Sequence, residues 1–415
     1  MAAPSRPRPP RPAARRAPQR SQQSQNQKND GKIIPFELFA RRPSGTYFYD
    51  YSLLFAVIFL ILFGLVMIYS ASSYQAQLSE SDAAFYMMKQ VRNILIGFGG
   101  MFVVSRLNYS GFPKFARFSY WFSIFLMVLV MFVGKRVNGK RRWLGVGGLT
   151  FQPAEVVKIA LILYLAYLIT KMGSEVGKPK NILYLLRLTL FAAGIVAINN
   201  LSSGIIIAGI GMVMIFVATK VYWPYFALGG AGLSVLLFAG QIGAALNKVH
   251  LLRDYQYKRI LAWLHPESDP SGDAFQVLQG LYAIGSGGIT GKGLGQSIQK
   301  LGFLPESHND MIFTIICEEL GLVGAACVIL IFLFILFRLI LIAGSAPDLF
   351  GALLVVGVLG HIAIQVVLNI AVATNTIPNT GVSLPFISYG GTSIIFLMME
   401  VGMVLSVARR IRLGR

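Results

Sequence analysis

Apolar side chains in this chain run in long uninterrupted blocks, and polar residues collect between the blocks rather than alternating within them. The blocks fall at 51–73, 86–105, 115–133, 153–172, 183–198, 201–219, 223–243, 319–343, 349–372 and 389–408. Each is near the ~20 residues an α-helix needs to cross the hydrocarbon of a bilayer. The pattern predicts an all-α polytopic membrane protein of about ten transmembrane helices. Between the seventh and eighth blocks it predicts a large extracytoplasmic loop, 244–310.

Two segments break the pattern most. Residues 1–33, rich in Pro, Arg, Gln and Ser, carry no apolar periodicity and cannot bury enough surface to fold alone. No apolar core follows them closely, so they are not a secretory signal. They belong to a disordered basic cytoplasmic tail, 1–45, that attracts lipid headgroups or docks a partner. Residues 375–393, NTIPNTGVSLPFISYGGTS, hold too much Pro and Gly for a plain helix. Broken backbone at membrane depth is tolerated where it lines protein or a wet cavity. This stretch, with Ser388 and Tyr389, is expected to be a re-entrant wall of a site.

Charge sharpens the reading. Only 13% of the 415 residues are charged, against about 25% in a soluble domain, and mean hydropathy is +0.63. The 37 Lys and Arg exceed the 17 Asp and Glu, giving +20. Membrane orientation and anionic lipid account for that balance without a nucleic-acid partner. Ten spans place both termini on one side, and the basic tail and ARRIRLGR terminus name it the cytoplasm. Arg106, Lys114, Arg117, Lys171, Lys178, Lys180 and Lys220 then fall inside, and the first outer loop has no Lys or Arg. The exception is the loop 134–152, placed outside with Lys135, Arg136, Lys140, Arg141 and Arg142. Its Arg-Arg-Trp run, ending at Trp143, offers planar forks and an amphipathic ring suited to a phosphate at headgroup level. Cys317 and Cys327 lack metal or disulfide spacing and read as small buried hydrophobes.

Charged residues within spans are few. Lys89 and Arg92 are placed to snorkel, Glu155 and Lys158 form a possible helical pair, and Glu400 is assigned a structural role. The long polar interval from Tyr255 to Glu319 closes on Glu306, His308 and Asp310. Read alone, Asp310 is either a helix cap before Met311 or a general base. Glu306 and Asp310, four apart, are alternatively a carboxylate pair about 6 Å apart if helical. His308 is either a base or a surface support. The glycine loop GITGKGLG carries Lys292, with Lys300 following, but lacks the spacing of a nucleotide-binding loop.

Several blocks resemble the SEDS family, the FtsW/RodA/SpoVE group of peptidoglycan glycosyltransferases, and among these they are most similar to FtsW. They are NGKRRWL (138–144), FQPAE (151–155), HPESDPSGDAFQVLQ (265–279), AIGSGGITGKGLGQSIQK (283–300), FLPESHNDMIF (303–313) with EELG (318–321), and NTGVSLPFISYGGTS (379–393). The resemblance spans about Tyr51 to Arg410 and makes 46–415 one transmembrane glycosyltransferase domain. It implies polymerisation of lipid II into β-1,4 glycan strands at the outer face of the bacterial cytoplasmic membrane, in cell division or shape maintenance. Undecaprenyl pyrophosphate would leave, and the nascent strand, a class B penicillin-binding protein and other divisome or elongation proteins would be partners. The family's catalytic aspartate falls on Asp310. Three positions depart from the family pattern: Asn309 for Thr, Ala154 for Ser, and Asn199-Asn200 for Pro-Asp.

On that resemblance Asp310 takes the proton of the acceptor hydroxyl, an effect worth ~10²–10⁴ in rate. Lys140, Arg141 and Arg142, seconded by Lys292 and Lys300, would steady the departing pyrophosphate. Trp143, Glu155, Glu306, His308, Ser388 and Tyr389 complete the expected substrate-binding set. No closed metal site is expected, and no resident cofactor, although Mg2+ or Mn2+ bridging the pyrophosphate and Asp310 is compatible. Two other classes compete: a lipid II flippase, and a non-catalytic scaffold for the transpeptidase.

Overall fold

A computed structural model describes residues 46–47, 50–137, 140–146, 149–219, 221–248, 254–268 and 274–413. The tail assigned to 1–45 lies outside them. Each of the ten apolar blocks is helical: α1 (Tyr51–Glu80), α2 (Phe85–Arg106), α3 (Pro113–Val133), α4 (Pro153–Met172), α5 (Pro179–Asn199), α6 (Leu201–Ala218), α7 (Trp223–Leu237), α11 (Ile312–Ser345), α12 (Leu349–Ala373) and α13 (Ser393–Ala408). Seven of these are long and apolar enough to cross a membrane, and the chain is a multi-pass membrane protein. The other three are α2, interrupted by Lys89, Gln90, Arg92 and Asn93, and the shorter α7 and α13.

The boundaries differ where local chemistry intervenes. The seventh block, expected to run to 243, breaks at Phe238 and resumes as α8 (Ala239–Lys248). The expected outer loop 244–310 is not plain loop: it contains the end of α8, then α9 (Asp254–Leu264) and α10 (Phe275–Gly287). Helix α11 starts seven residues before its apolar block, because Glu318 and Glu319 are buried within its first turns.

Helix α12 lies deepest, with 67% of its apolar window buried against neighbours that include α4, α6, α11 and α13. Large side chains such as Phe55, Phe118, Phe125 and Phe132 face outward, as expected where the surrounding solvent is lipid. Small residues let backbones approach: a Cβ on Gly64 of α1 would stand 2.7 Å from the Ile387 Cα, so the 375–393 segment packs directly on that helix.

Strands are few but placed at both faces. β1 (Thr46–Tyr47) pairs antiparallel with β5 (Arg412–Leu413), Thr46 opposite Leu413, which brings the two ends of the described chain together. The loop after α3 is a meander of β2 (Lys135–Val137), β3 (Lys140–Val146) and β4 (Leu149–Phe151).

Candidate active site at the start of helix α11

Asp310 sits half-buried in a run of turns, 305–311, that feeds α11. The position is fixed through its backbone. Asn369 of α12 donates from Nδ2 to the Asp310 carbonyl at 2.8 Å and to the Val382 carbonyl at 2.7 Å. The carboxylate lies beside Gly381: a Cβ there would be 3.6 Å from Asp310 Oδ2, and φ of +65° at Gly381 favours glycine independently. The capping alternative is not what the chain does, since Met311 occupies the cap position and no side chain caps α11. Nor is there a helical carboxylate pair. Glu306 is in a left-handed turn at φ 55°, and its carboxylate accepts a hydrogen bond from Asn309 Nδ2.

The 375–393 segment is non-helical until Thr392, and its stretch from Val382 to Ser388 is almost wholly buried, as a wall would be. Neighbouring elements hold it in place. Ser202 of α6 donates to the Thr380 carbonyl, Asn379 Nδ2 donates to Gln276 Oε1 of α10 at 2.9 Å, and Gln365 of α12 donates to the Ser383 carbonyl at 2.9 Å. Ser388 Oγ accepts the Leu384 N–H at 2.7 Å, so this serine braces its own loop. The Tyr389 N–H donates to the His308 carbonyl at 2.9 Å, tying the wall to the Asp310 turn.

His308 is buried, its ring 4.5 Å from Tyr86 and 5.6 Å from Tyr389. Burial holds the imidazole below its ordinary value, opposed by the Glu306 carboxylate. Burial likewise raises the Tyr389 phenol, with Tyr86 adding to the rise and the Arg92 charge opposing it. The Arg92 charge, carried on α2, is thus near enough to act on Tyr389.

The expected cations divide by environment. On β3, Arg141 donates to the Met131 carbonyl at 3.1 Å and to that of Phe132, at the end of α3. Arg142 Nε donates to the Asn199 carbonyl at 3.0 Å, at the end of α5. Cations at helix C-termini complement the dipole and the unpaired carbonyls there. Trp143 lies over the wall, its ring 3.7 Å from where a Cβ on Gly391 would stand, and Thr392 Oγ1 donates to the Thr150 carbonyl at 3.0 Å. Lys140 opens β3 in the same meander. Asn200 caps α6 by accepting the Ser203 N–H at 3.2 Å, a role an aspartate there would also serve.

Lys292 and Lys300 are committed to carboxylates of α11. Lys292 Nζ pairs with Glu318 at 2.7 Å, and buried Lys300 with Glu319 at 2.8 Å while also donating to Ser70 Oγ at 2.9 Å. The glycine loop docks where α11 breaks at Gly321, φ +67°. Lys292 and Gly293 donate to the carbonyls of Glu318 and Glu319 at 3.0 and 2.9 Å, and a Cβ on Gly321 would meet the Gly291 nitrogen at 2.3 Å. GITGKGLG thus works here as a backbone clasp.

Glu155 belongs to a buried chain inside the bundle. It pairs with Lys158 at 2.8 Å; Lys158 Nζ lies 3.0 Å from His361 Nε2, and His361 Nδ1 lies 2.7 Å from Glu400. His361, Gln365 and Asn369 stand four apart on one face of α12, and sequence reasoning passed over all three. The signal was available as a polar stripe at helical spacing inside an apolar block. Among the described residues, no three His, Cys, Asp or Glu side chains converge as a metal cage.

Comparison with known proteins covers nearly the whole described chain. Residues 51–413 match the family model FTSW_RODA_SPOVE, described as a cell cycle protein. Stage V sporulation protein E of Bacillus subtilis is 40% identical over 370 residues, covering 87% of this chain and 97% of that protein. A probable peptidoglycan glycosyltransferase FtsW of Trichlorobacter lovleyi is 35% identical over 379 residues, covering 90% and 97%. Among solved structures, one described as structural coordination of polymerization and crosslinking by a peptidoglycan synthase complex has a TM-score of 0.71 at 29% identity, covering 88% of this chain and 98% of that one. The Thermus thermophilus rod shape determining protein RodA has a TM-score of 0.64 at 26% identity, covering 88% and 97%.

Proposed function

Because the chain belongs to the FtsW/RodA/SpoVE family, we propose that it is a peptidoglycan glycosyltransferase that polymerises lipid II, with Asp310 as the general base. The observation that carries this reading is the placement of Asp310. Asn369 and the Gly381 turn hold it at the end of the bundle, beside a broken-backbone wall. In the reaction the acceptor sugar hydroxyl gives its proton to Asp310 as its oxygen bonds the anomeric carbon. The bond from that carbon to the lipid pyrophosphate breaks, and the electron pair leaves with the pyrophosphate. Lys140, Arg141, Arg142 and Arg92 supply positive charge for that leaving group. Asp310 is the carboxylate here that would hold a divalent cation, Mg2+ or Mn2+, and such an ion would supply positive charge for the leaving pyrophosphate.

Both termini lie on the cytoplasmic side in this reading, which the pairing of β1 with β5 supports by putting both ends of the described chain at one face. The synthase-complex structure supports pairing with a crosslinking transpeptidase of the class B penicillin-binding type. One feature favours the transporter alternative, the buried Glu155–Lys158–His361–Glu400 chain, because intramembrane ionisable groups often mark transport paths. The full-length D310N variant decides between them. It should fold, retain its partner and lose ~10²–10⁴ of lipid II polymerisation. Wild-type polymer yield from that variant would reject Asp310 as the base, and no polymer from the unsubstituted protein would return the transporter reading.

A further inference from the structure

A polar cavity lies at the end of the bundle opposite the Asp310 site, with a volume of about 850 Å³. It opens where α2, α11 and α13 end and α12 begins. From the Gly321 break to Ser345, α11 alone rises about 36 Å at 1.5 Å per residue, so this cavity and the Asp310 site share no side chain. Three guanidinium groups line it, from Arg106, Arg409 and Arg410. All three residues are exposed, and none makes an ion pair or side-chain hydrogen bond with a described residue. Arg106 lies over the Phe102 ring at 4.7 Å and Arg410 over Tyr109 at 5.6 Å, contacts that orient the planes without using their N–H donors.

The one carboxylate among the described residues that line the cavity is already engaged. Asp348 accepts the Tyr109 hydroxyl at 2.9 Å and the Gly351 N–H at 2.7 Å, where it caps α12. The charge left over in the cavity is therefore positive, and the Ser110 and Ser345 hydroxyls add neutral donors. Planar forks with spare donors match phosphate oxygens in pairs. Beside the mouth, Phe102, Val103 and Leu107 are each more than half exposed, an apolar strip against which acyl chains would lie.

We propose that the Arg106–Arg409–Arg410 cavity binds a phosphate-bearing anion, either the headgroup of an anionic phospholipid or a soluble phosphate ester. The test uses full-length protein in phosphatidylcholine nanodiscs doped with phosphatidylglycerol, with retained lipid counted by native mass spectrometry. A second arm titrates inorganic phosphate against thermal stability. Removing the guanidinium groups as R106Q/R409Q/R410Q should cut retained phosphatidylglycerol roughly five-fold per charge, while K114Q/R117Q, nearby cations outside the cavity, should leave it unchanged. Loss that millimolar phosphate does not mimic assigns the lipid. Competition by phosphate, with stabilisation of wild type but not of the triple variant, assigns the soluble ester. Retention and phosphate response equal to wild type, or losses matched by K114Q/R117Q, would overturn the proposal. Should the triple variant fail to fold, R409Q alone gives the same comparison.

Discussion

Asn369 joins two otherwise separate segments through one amide: its Nδ2 donates to the carbonyl of Asp310 and to that of Val382. The candidate base and the non-helical wall are thus positioned from the same buried point on α12. Replacing Asn369 with Ala strands both carbonyls, at a cost of about 1–3 kcal/mol if either is left without a partner. The N369A variant should therefore show a lowered thermal midpoint together with lower polymerisation, whereas D310N should lose activity at near-wild-type stability. Thermal unfolding in detergent beside a lipid II polymerisation assay separates the two. A fully active N369A protein would show that the bridge does not position the site.

How much of this was legible follows from which forces act locally. The helices were, because twenty apolar residues satisfy their own backbone bonds only as helix. Asp310 stood out because it closes a polar interval at the lip of an apolar block. The β2–β3–β4 meander was missed, although Asn138-Gly139 and Gly147-Gly148 stand between the paired ends Val137–Lys140 and Val146–Leu149. Such dipeptides favour two-residue hairpins, but the cations around them drew the reading toward phosphate. The commitment of Lys292 and Lys300 to Glu318 and Glu319 was beyond local pattern, since it depends on a backbone break at Gly321 that only the docked loop explains.

Lys300 and Glu319 provide a sharp energetic test. Both are buried, and Glu319 also accepts the Ser70 hydroxyl at 2.7 Å. Removing one partner leaves an uncompensated buried charge, so K300M should destabilise the protein by about 3–5 kcal/mol. The K300M/E319M double variant should recover much of that loss, because neither charge remains. A double variant no more stable than K300M would mean that the pair is not coupled in the folded protein.

His308 gives a pH dependence whose sign is set by burial. Its folded value lies below the ordinary one, so below about pH 6.5 the unfolded chain binds a proton that the folded chain resists. Stability should be unaffected by this residue at pH 8 and should fall as the solution is acidified, by up to about 1.4 kcal/mol per pH unit. Comparing thermal midpoints of wild type and H308Q between pH 8 and 5.5 isolates the contribution. The extra acid sensitivity should vanish in H308Q; equal slopes would place the imidazole in solvent.

Arg141 and Arg142 are the residues for which a structural and a functional role must be measured apart. Arg142 closes the end of α5 through the Asn199 carbonyl, and Arg141 closes α3 through Met131 and Phe132. A hydrogen bond to a charged group contributes about 1.5–3 kcal/mol, so charge reversal at either position should lower the thermal midpoint. A guanidinium nevertheless carries five donors, and β3 places both residues on the meander that meets the wall at Trp143 and Gly391. With both roles present, R141E/R142E should raise the KM for lipid II by about ten-fold or more, as loss of one or two charge-assisted contacts to phosphate would. R141K/R142K should restore part of the KM through charge, but little of the helix-end bonding, because an ammonium lacks the planar fork. Initial rates over a lipid II series, read beside the thermal midpoints, distinguish the cases. A lowered midpoint with an unchanged KM would make both arginines helix caps only and leave the leaving-group charge to Lys140 and Arg92.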